Sequence, residues 1–85
     1  SYLYIGDMKN NAFNGKGMLT TPEGTVTGSF KNGKPHGFCK QISNDEQQWA
    51  EGNYTNGKKN GKFKISSNGL ERNVTYEDDI EIIIK

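Results

Sequence analysis

Residues 28–37 read GSFKNGKPHG and residues 52–61 read GNYTNGKKNG, so one pattern of glycines occurs twice, 24 residues apart. Residues 6–15, GDMKNNAFNG, carry the same pattern 22 residues earlier, with Asn11 in the place of one glycine. In each copy a bulky side chain follows the first glycine by two residues. Asparagine is the residue that, after glycine, best tolerates positive φ. The pattern therefore reflects a requirement of the backbone rather than of particular side chains.

Each copy is typical of a β-hairpin. A pair of turn residues separates two short segments of alternating character in all three copies: Asn10-Asn11, Asn32-Gly33 and Asn56-Gly57. Asn-Gly is the strongest two-residue hairpin signal. Return turns follow at Pro22-Glu23-Gly24, at the longer segment 44–47 and at Ser67-Asn68-Gly69. No stretch spaces its apolar residues as a helix does, and glycine disfavours helix. The sequence predicts an all-β chain of consecutive hairpins.

A fourth, degraded copy follows the three clear ones. Tyr76 stands in the place of Phe30 and Tyr54, and Asp78-Asp79 stands in the place of the Asn-Gly turn. Terminal repeats of linear arrays are commonly atypical. A chain of 85 residues is at most one domain. We therefore expect one domain over 1–85, with repeats at about 2–23, 24–47 and 48–69 and a degenerate unit at 70–85.

Composition excludes several classes of protein. Ile, Leu, Val and Phe number 16 of 85 residues, but the net charge is only +1, which is not typical of a disordered chain. The longest apolar run, Ile82-Ile83-Ile84, is far too short to span a membrane. The single Cys39 cannot form an internal disulfide, which favours a reducing, cytoplasmic location. A chain that begins with Ser1 rather than Met is compatible with a piece of a longer protein.

The quoted segments, together with Tyr4-x-Gly6-x-Met8 and Gly15-x-Gly17, resemble MORN repeats, the membrane occupation and recognition nexus motif. The resemblance covers nearly the whole chain. It departs from the pattern at four positions: Val26, Cys39, Ala50 and Phe63. The resemblance implies an elongated, single-layer antiparallel meander. Such meanders are used mainly for protein interaction and scaffolding, for example in the cytoskeleton, and sometimes accompany a catalytic domain or contact membrane lipids.

An aromatic column is predicted on one face of this sheet, formed by Met8, Phe30, Tyr54 and Tyr76. A glycine beside an aromatic ring lets the ring lie flat against the backbone, which accounts for much of the column. A single layer must nevertheless bury its apolar face against something. We therefore expect a partner helix or peptide on this face, with aromatic anchors. The candidate partner-binding residues are Tyr4, Met8, Phe30, Trp49, Tyr54 and Phe63.

A lysine-rich edge gives an alternative function. Alternate turns of a meander lie on opposite edges, so the turns at 10–11, 32–33, 56–57 and 78–79 share one edge. Five lysines lie beside them: Lys9, Lys31, Lys34, Lys58 and Lys59. They predict a peripheral membrane module that binds anionic phospholipids, although solvated turn lysines would also explain the pattern. The net charge of +1 is too small for the basic footprint of a nucleic-acid-binding domain.

Catalytic and metal-binding patterns are weak. His36 is the only histidine, and Cys39 three residues later points to the other face of a strand. The turn carboxylates are too few for a calcium loop. Gly15-Lys16-Gly17 has no following helix to complete a phosphate site. We expect no enzymatic activity, no cofactor and no metal.

The last predicted strand, 80–85, would place Ile80, Ile82 and Ile84 on one face. It is either a capping strand or an exposed edge that pairs with a second chain. The second alternative predicts a homodimer through this edge.

Overall fold

The computed structural model describes residues 2–83, which form eight β-strands. The strands are Leu3–Lys9 (β1), Ala12–Thr21 (β2), Gly24–Lys31 (β3), Lys34–Ser43 (β4), Gln48–Thr55 (β5), Lys58–Ser67 (β6), Leu70–Glu77 (β7) and Ile80–Ile82 (β8). They lie in one antiparallel sheet in chain order. The predicted all-β, single-layer meander is confirmed. Each hairpin lies inside one of the predicted repeats.

The sheet is elongated, with extents of 44 × 26 × 16 Å. Its radius of gyration is 13.1 Å, against about 12 Å for a compact domain of this length. The accessible surface is 5953 Å², compared with roughly 5,000 Å² for a compact protein of this mass. Both differences follow from a single layer, because neither face is covered by a second sheet or a helix.

The two edges of the sheet carry different turns. Two-residue turns at 10–11, 32–33, 56–57 and 78–79 form one edge, here called the hairpin edge. All eight residues of these turns have positive φ, from 49° at Asp78 to 86° at Gly57, as a type I′ turn requires. The other edge, here called the return edge, carries the turns at 22–23, 44–47 and 68–69.

A β-bulge in the second strand of each of the first three hairpins explains the last glycine of the ten-residue pattern. The register breaks opposite the segments Gly6–Met8, Gly28–Phe30 and Gly52–Tyr54. The bulged strands pass there through glycines with φ of 101°, 102° and 92°: Gly15, Gly37 and Gly61. Each of these pairs with the aromatic residue of the following hairpin, at Phe30, Tyr54 and Tyr76. The bulge was not predicted from the sequence.

A row of cross-strand partners, five of seven of them glycine or cysteine, crosses the sheet through the aromatic face. Successive cross-strand partners from β1 to β7 are Gly6, Gly17, Gly28, Cys39, Gly52, Phe63 and Val74. A Cβ atom on Gly17 would lie 2.5 Å from Cζ of Tyr4, and one on Gly52 would lie 2.6 Å from Cδ1 of Phe63. These two rings therefore lie directly against glycine backbone, but neither belongs to the predicted column of Met8, Phe30, Tyr54 and Tyr76.

The core of this single layer consists of two aromatic clusters on one face, here called the aromatic face. In the first, Tyr4 stacks on Phe13 with 3.8 Å between centroids and meets Phe30 edge-on at 5.3 Å. In the second, Phe63 meets Tyr54 at 5.3 Å and Tyr76 at 5.4 Å, both edge-on. Edge-to-face pairs at these distances are favourable. The buried apolar residues are Phe30, Cys39, Tyr54, Phe63 and Val74.

Backbone hydrogen bonds along the hairpin edge tie each repeat to the next. Gly33 N donates to Phe13 O at 3.0 Å, Gly57 N to Pro35 O at 2.9 Å, and Asp79 N to Lys59 O at 3.0 Å. The three bonds are equivalent by repeat, because each acceptor lies two residues after the preceding turn. The degraded fourth copy therefore docks on its neighbour in the same way as the clear ones.

The C-terminal strand is shorter than expected. β8 ends at Ile82, and Ile84 and Lys85 of the predicted strand lie outside the described residues. Ile80 is exposed in the described part of this edge, so pairing with a second chain stays a prediction.

Candidate interaction surfaces

Three of the predicted partner-binding residues are core residues. The exposed fractions are 3% for Phe30, 6% for Tyr54 and 1% for Phe63. Phe30 packs in the first cluster and Tyr54 and Phe63 pack in the second, so the sheet covers most of its apolar face with its own side chains. Very little of their surface is left for a partner. Sequence reasoning assumed that a single layer leaves these rings uncovered.

Two further candidates, Met8 and Trp49, lie outside the two aromatic clusters. Met8 is 54% exposed, and its cross-strand partner Phe13 is the residue that stacks on Tyr4. Trp49 precedes Ala50, which packs against the second cluster, so strand alternation directs the indole to the opposite face. There Lys40 Nζ lies 4.5 Å from the indole centroid. Trp49 therefore belongs to neither aromatic cluster, whereas Tyr4 belongs to the first. Residue 49 also contributes to the lining of a groove beside the second cluster, so its part in partner binding stays a prediction.

An open groove of about 420 Å³ lies on the aromatic face beside the second cluster. Its apolar lining comes from Ala50, Ile65, Leu70 and Tyr76, and its charged lining from Glu23, Lys59 and Arg72. Leu70 is 78% exposed at the rim. Sequence reasoning missed Ile65, Leu70 and Arg72 as surface residues, although the alternation of β6 and β7 places them on the face of Tyr76.

Polar contacts fix the groove at its hairpin-edge end. Lys59 Nζ lies 4.9 Å above the ring of Tyr76, and the backbone N of Lys59 donates to Asp79 Oδ1 at 2.7 Å.

The phenol of Tyr54 in the second cluster also has a polar partner: Tyr54 Oη donates to Gln41 Oε1 at 3.5 Å. Burial, with smaller effects of the charges of Cys39, Asp79 and Tyr76, raises the pKa of Tyr54 to about 12. The phenol therefore remains a neutral donor at physiological pH.

Four of the five predicted edge lysines share the hairpin edge as exposed residues: Lys9, Lys31, Lys34 and Lys58. Lys31 and Lys34 are direct cross-strand partners, so two like charges stand side by side. The fifth, Lys59, is half-buried and belongs to the groove. The edge ends at Asp78, whose carboxylate accepts a hydrogen bond from Asn60 Nδ2 at 3.3 Å.

The remaining titratable candidates have structural contacts. His36 Nδ1 accepts a hydrogen bond from Asn56 N at 3.2 Å. Cys39 Sγ is fully buried and donates to Ser29 O at 3.1 Å, and burial raises the pKa of its thiol. Within residues 2–83, no three His, Cys, Asp or Glu side chains are grouped to hold a metal ion. The same residues include no helix long and apolar enough to cross a membrane.

These features define a repeat protein in which β-hairpins of one pattern stack side by side in a single layer. The family model of the MORN repeat matches residues 4–26, 27–47 and 51–62, and the chain belongs to this family. No curated protein sequence matches the chain. MORN repeats are known in modules that interact with proteins or membranes.

Proposed function

We propose that this protein is a non-enzymatic interaction and scaffold module that binds a helix or peptide of a partner protein in the groove of the aromatic face. One observation supports it most directly. The buried rings hold the sheet together, while Leu70 stays 78% exposed at the rim of the groove. Burying a leucine side chain contributes about 1.5–3 kcal/mol, so this residue is an anchor that the sheet itself does not use.

Charge at the groove supports a polypeptide ligand. Lys59 and Arg72 are basic, and Glu23 lies on the return edge. Opposite charges at separate points of a groove orient a ligand and reject incorrect partners. Together with the apolar floor of Ile65 and Tyr76, they suit an amphipathic segment. As the cellular setting for such a scaffold we propose the cytoplasm, at the cytoskeleton or at a membrane surface.

The test compares two exposed leucines on opposite faces. Leu70→Arg should abolish capture of the partner from a lysate, since it places charge at the groove. Leu3→Arg is the matched control, because Leu3 is exposed on the opposite face of β1. Circular dichroism should show both variants folded. Capture that survives Leu70→Arg, or that both variants lose equally, would contradict the groove as the binding site.

A second candidate function is binding of anionic phospholipids by the hairpin edge. It is favoured by the four exposed lysines that share this edge: Lys9, Lys31, Lys34 and Lys58. Each basic residue near an anionic surface contributes about 1 kcal/mol, and the attraction decays within a Debye length. Vesicles with phosphatidylserine should then bind the protein at low salt but not at high salt.

Glutamine at these four lysines should abolish vesicle flotation. A control variant with glutamine at Lys40, Lys62 and Lys64, which lie within the strands, should not. Equal loss in both variants would indicate nonspecific charge attraction rather than a lipid-binding edge.

A further inference from the structure

We propose that Asn68 is a site of spontaneous deamidation, converting to aspartate and isoaspartate ahead of the other asparagines that precede a glycine. The sequence contains five such pairs: Asn14-Gly15, Asn32-Gly33, Asn56-Gly57, Asn60-Gly61 and Asn68-Gly69. All have the same following residue, so sequence alone does not rank them. The structure does, and the inference does not depend on the function proposed above.

The reaction needs a glycine N–H that is free of hydrogen bonds and an asparagine side-chain amide that can move. The backbone nitrogen of the glycine loses its proton and attacks the side-chain Cγ of the asparagine. The bond from Cγ to the amide nitrogen breaks, and ammonia leaves with a proton, which closes a five-membered succinimide. Water then opens the ring at either carbonyl, giving aspartate or isoaspartate. A glycine N–H engaged in a hydrogen bond, or an asparagine amide held in place, slows the attack.

Turn conformation does not distinguish the three pairs that occupy turns. The φ angles of Asn32, Asn56 and Asn68 are 52°, 50° and 52°. Those of the following glycines are 81°, 86° and 85°. The three pairs therefore share nearly the same φ angles, and we look for a difference in reactivity in their surroundings.

The surroundings differ at the attacking nitrogen. Gly33 N donates to Phe13 O at 3.0 Å and Gly57 N donates to Pro35 O at 2.9 Å. Among the hydrogen bonds of residues 2–83, none comes from Gly69 N. On the return edge it is Asn68 N that donates, to Gln47 O at 2.7 Å. A hydrogen bond of typical net strength lowers the population of the free N–H about fivefold, so Gly69 is the most available nucleophile of the three.

The two pairs inside strands are held by the sheet. Asn14-Gly15 lies in β2 and Asn60-Gly61 in β6, and although both pairs lie at bulges, their glycines pair with the following strand, Gly15 with Phe30 and Gly61 with Tyr76. The side chain of Asn60 is also engaged. Its Nδ2 donates to Asp78 Oδ1 at 3.3 Å, and its Oδ1 accepts from Asp78 N at 3.1 Å. Cγ of Asn60 therefore cannot turn freely toward the next nitrogen.

Conversion of Asn68 would change the return edge chemically. It would add a carboxylate between Ser67 and Leu70, two residues that line the groove. The isoaspartate product also lengthens the main chain by one carbon within a two-residue turn. Age-dependent modification would therefore occur at the rim of the groove.

The test follows all five pairs in one experiment. The protein is incubated in mildly alkaline buffer at physiological temperature, once folded and once in guanidinium chloride, and digested with trypsin at intervals. Cleavage after lysine and arginine places each pair on its own peptide: 10–16, 32–40, 41–58, 60–62 and 65–72. Mass spectrometry measures the gain of one mass unit at each asparagine.

In denaturant the five sites should react at comparable rates, because each precedes a glycine. In the folded protein the site at Asn68 should react at least about fivefold faster than those at Asn32 and Asn56. The sites at Asn14 and Asn60 should also react more slowly than Asn68. The proposal is overturned if any of the other four sites in the folded protein reacts as fast as Asn68.

Discussion

The ring of Phe63 lies against the backbone of its cross-strand partner Gly52, so closely that a Cβ atom at position 52 would stand 2.6 Å from Cδ1 of the ring. The φ of Gly52 is not in the left-handed region. The glycine is therefore required for space, not for conformation. Because no second layer covers the sheet, contacts of this kind within one layer supply its core.

Gly52→Ala should destabilise the protein by about 1–3 kcal/mol, because extra atoms in a packed core force neighbouring side chains to shift at a free-energy cost of this size. Urea unfolding followed by circular dichroism measures the change. Asn53→Ala is the control, because residue 53 is exposed on the other face. Shortening the ring in Gly52→Ala/Phe63→Leu should recover part of the loss. Equal stability of the Gly52 and Asn53 variants would contradict the crowding argument.

His36 should be replaceable by asparagine but not by alanine. His36 Nδ1 accepts from Asn56 N, and Asn60 Oδ1 accepts from Asp78 N in the equivalent place of the next repeat. His36→Asn should therefore stay within a few tenths of a kcal/mol of the wild type, while His36→Ala should lose about 0.5–1.5 kcal/mol. Thermal unfolding distinguishes them. Equal loss in both variants would mean that the histidine contributes something other than an acceptor.

The repeats and their turns were predictable because backbone constraints leave a direct mark on the sequence. Positive φ favours glycine and asparagine, so the Asn32-Gly33 and Asn56-Gly57 turns can be recognised in the sequence. The bulges also require glycine, at Gly15, Gly37 and Gly61. The sequence alone, however, does not distinguish a glycine at a bulge from a glycine that lies beside an aromatic ring. Register across neighbouring strands was needed to separate the two.

The aromatic face was predicted less well because its rings cover one another. Sequence spacing places Phe30 and Tyr54 on one face but does not reveal that Tyr4, Phe13 and Tyr76 close over them. Trp49 was grouped with these rings because its aromatic character was considered without its alternation relative to Ala50. The groove depends on side chains from four strands, so it became visible only with the register of the sheet.

Cys39 should react with alkylating reagents only when the protein opens. Its side chain is fully buried, and burial raises the pKa of the thiol more than the backbone of Ser29 and His36 and the charge of Lys16 lower it. Thiolate is the reactive form. The rate of labelling should rise with urea in parallel with unfolding. Labelling in native buffer as fast as in denaturant would contradict the buried position.

Tyr54 should make the protein less stable in alkaline solution. Its pKa is raised from 10.0 to about 12 in the folded state, so the unfolded chain loses this proton first as the pH rises. Fewer protons on the unfolded chain mean that the free energy of unfolding falls between pH 10 and 12, by up to about 2.7 kcal/mol for a shift of this size.

Tyr54→Phe tests this cause, because it removes the ionisation and costs only the long hydrogen bond to Gln41. Urea midpoints should therefore be similar for the two proteins below pH 10, and above it the wild type should decline more steeply. Tyr2→Phe serves as the control, because Tyr2 is exposed. Parallel decline of the wild type and Tyr54→Phe would show that the phenol of Tyr54 ionises as readily in the sheet as in the unfolded chain.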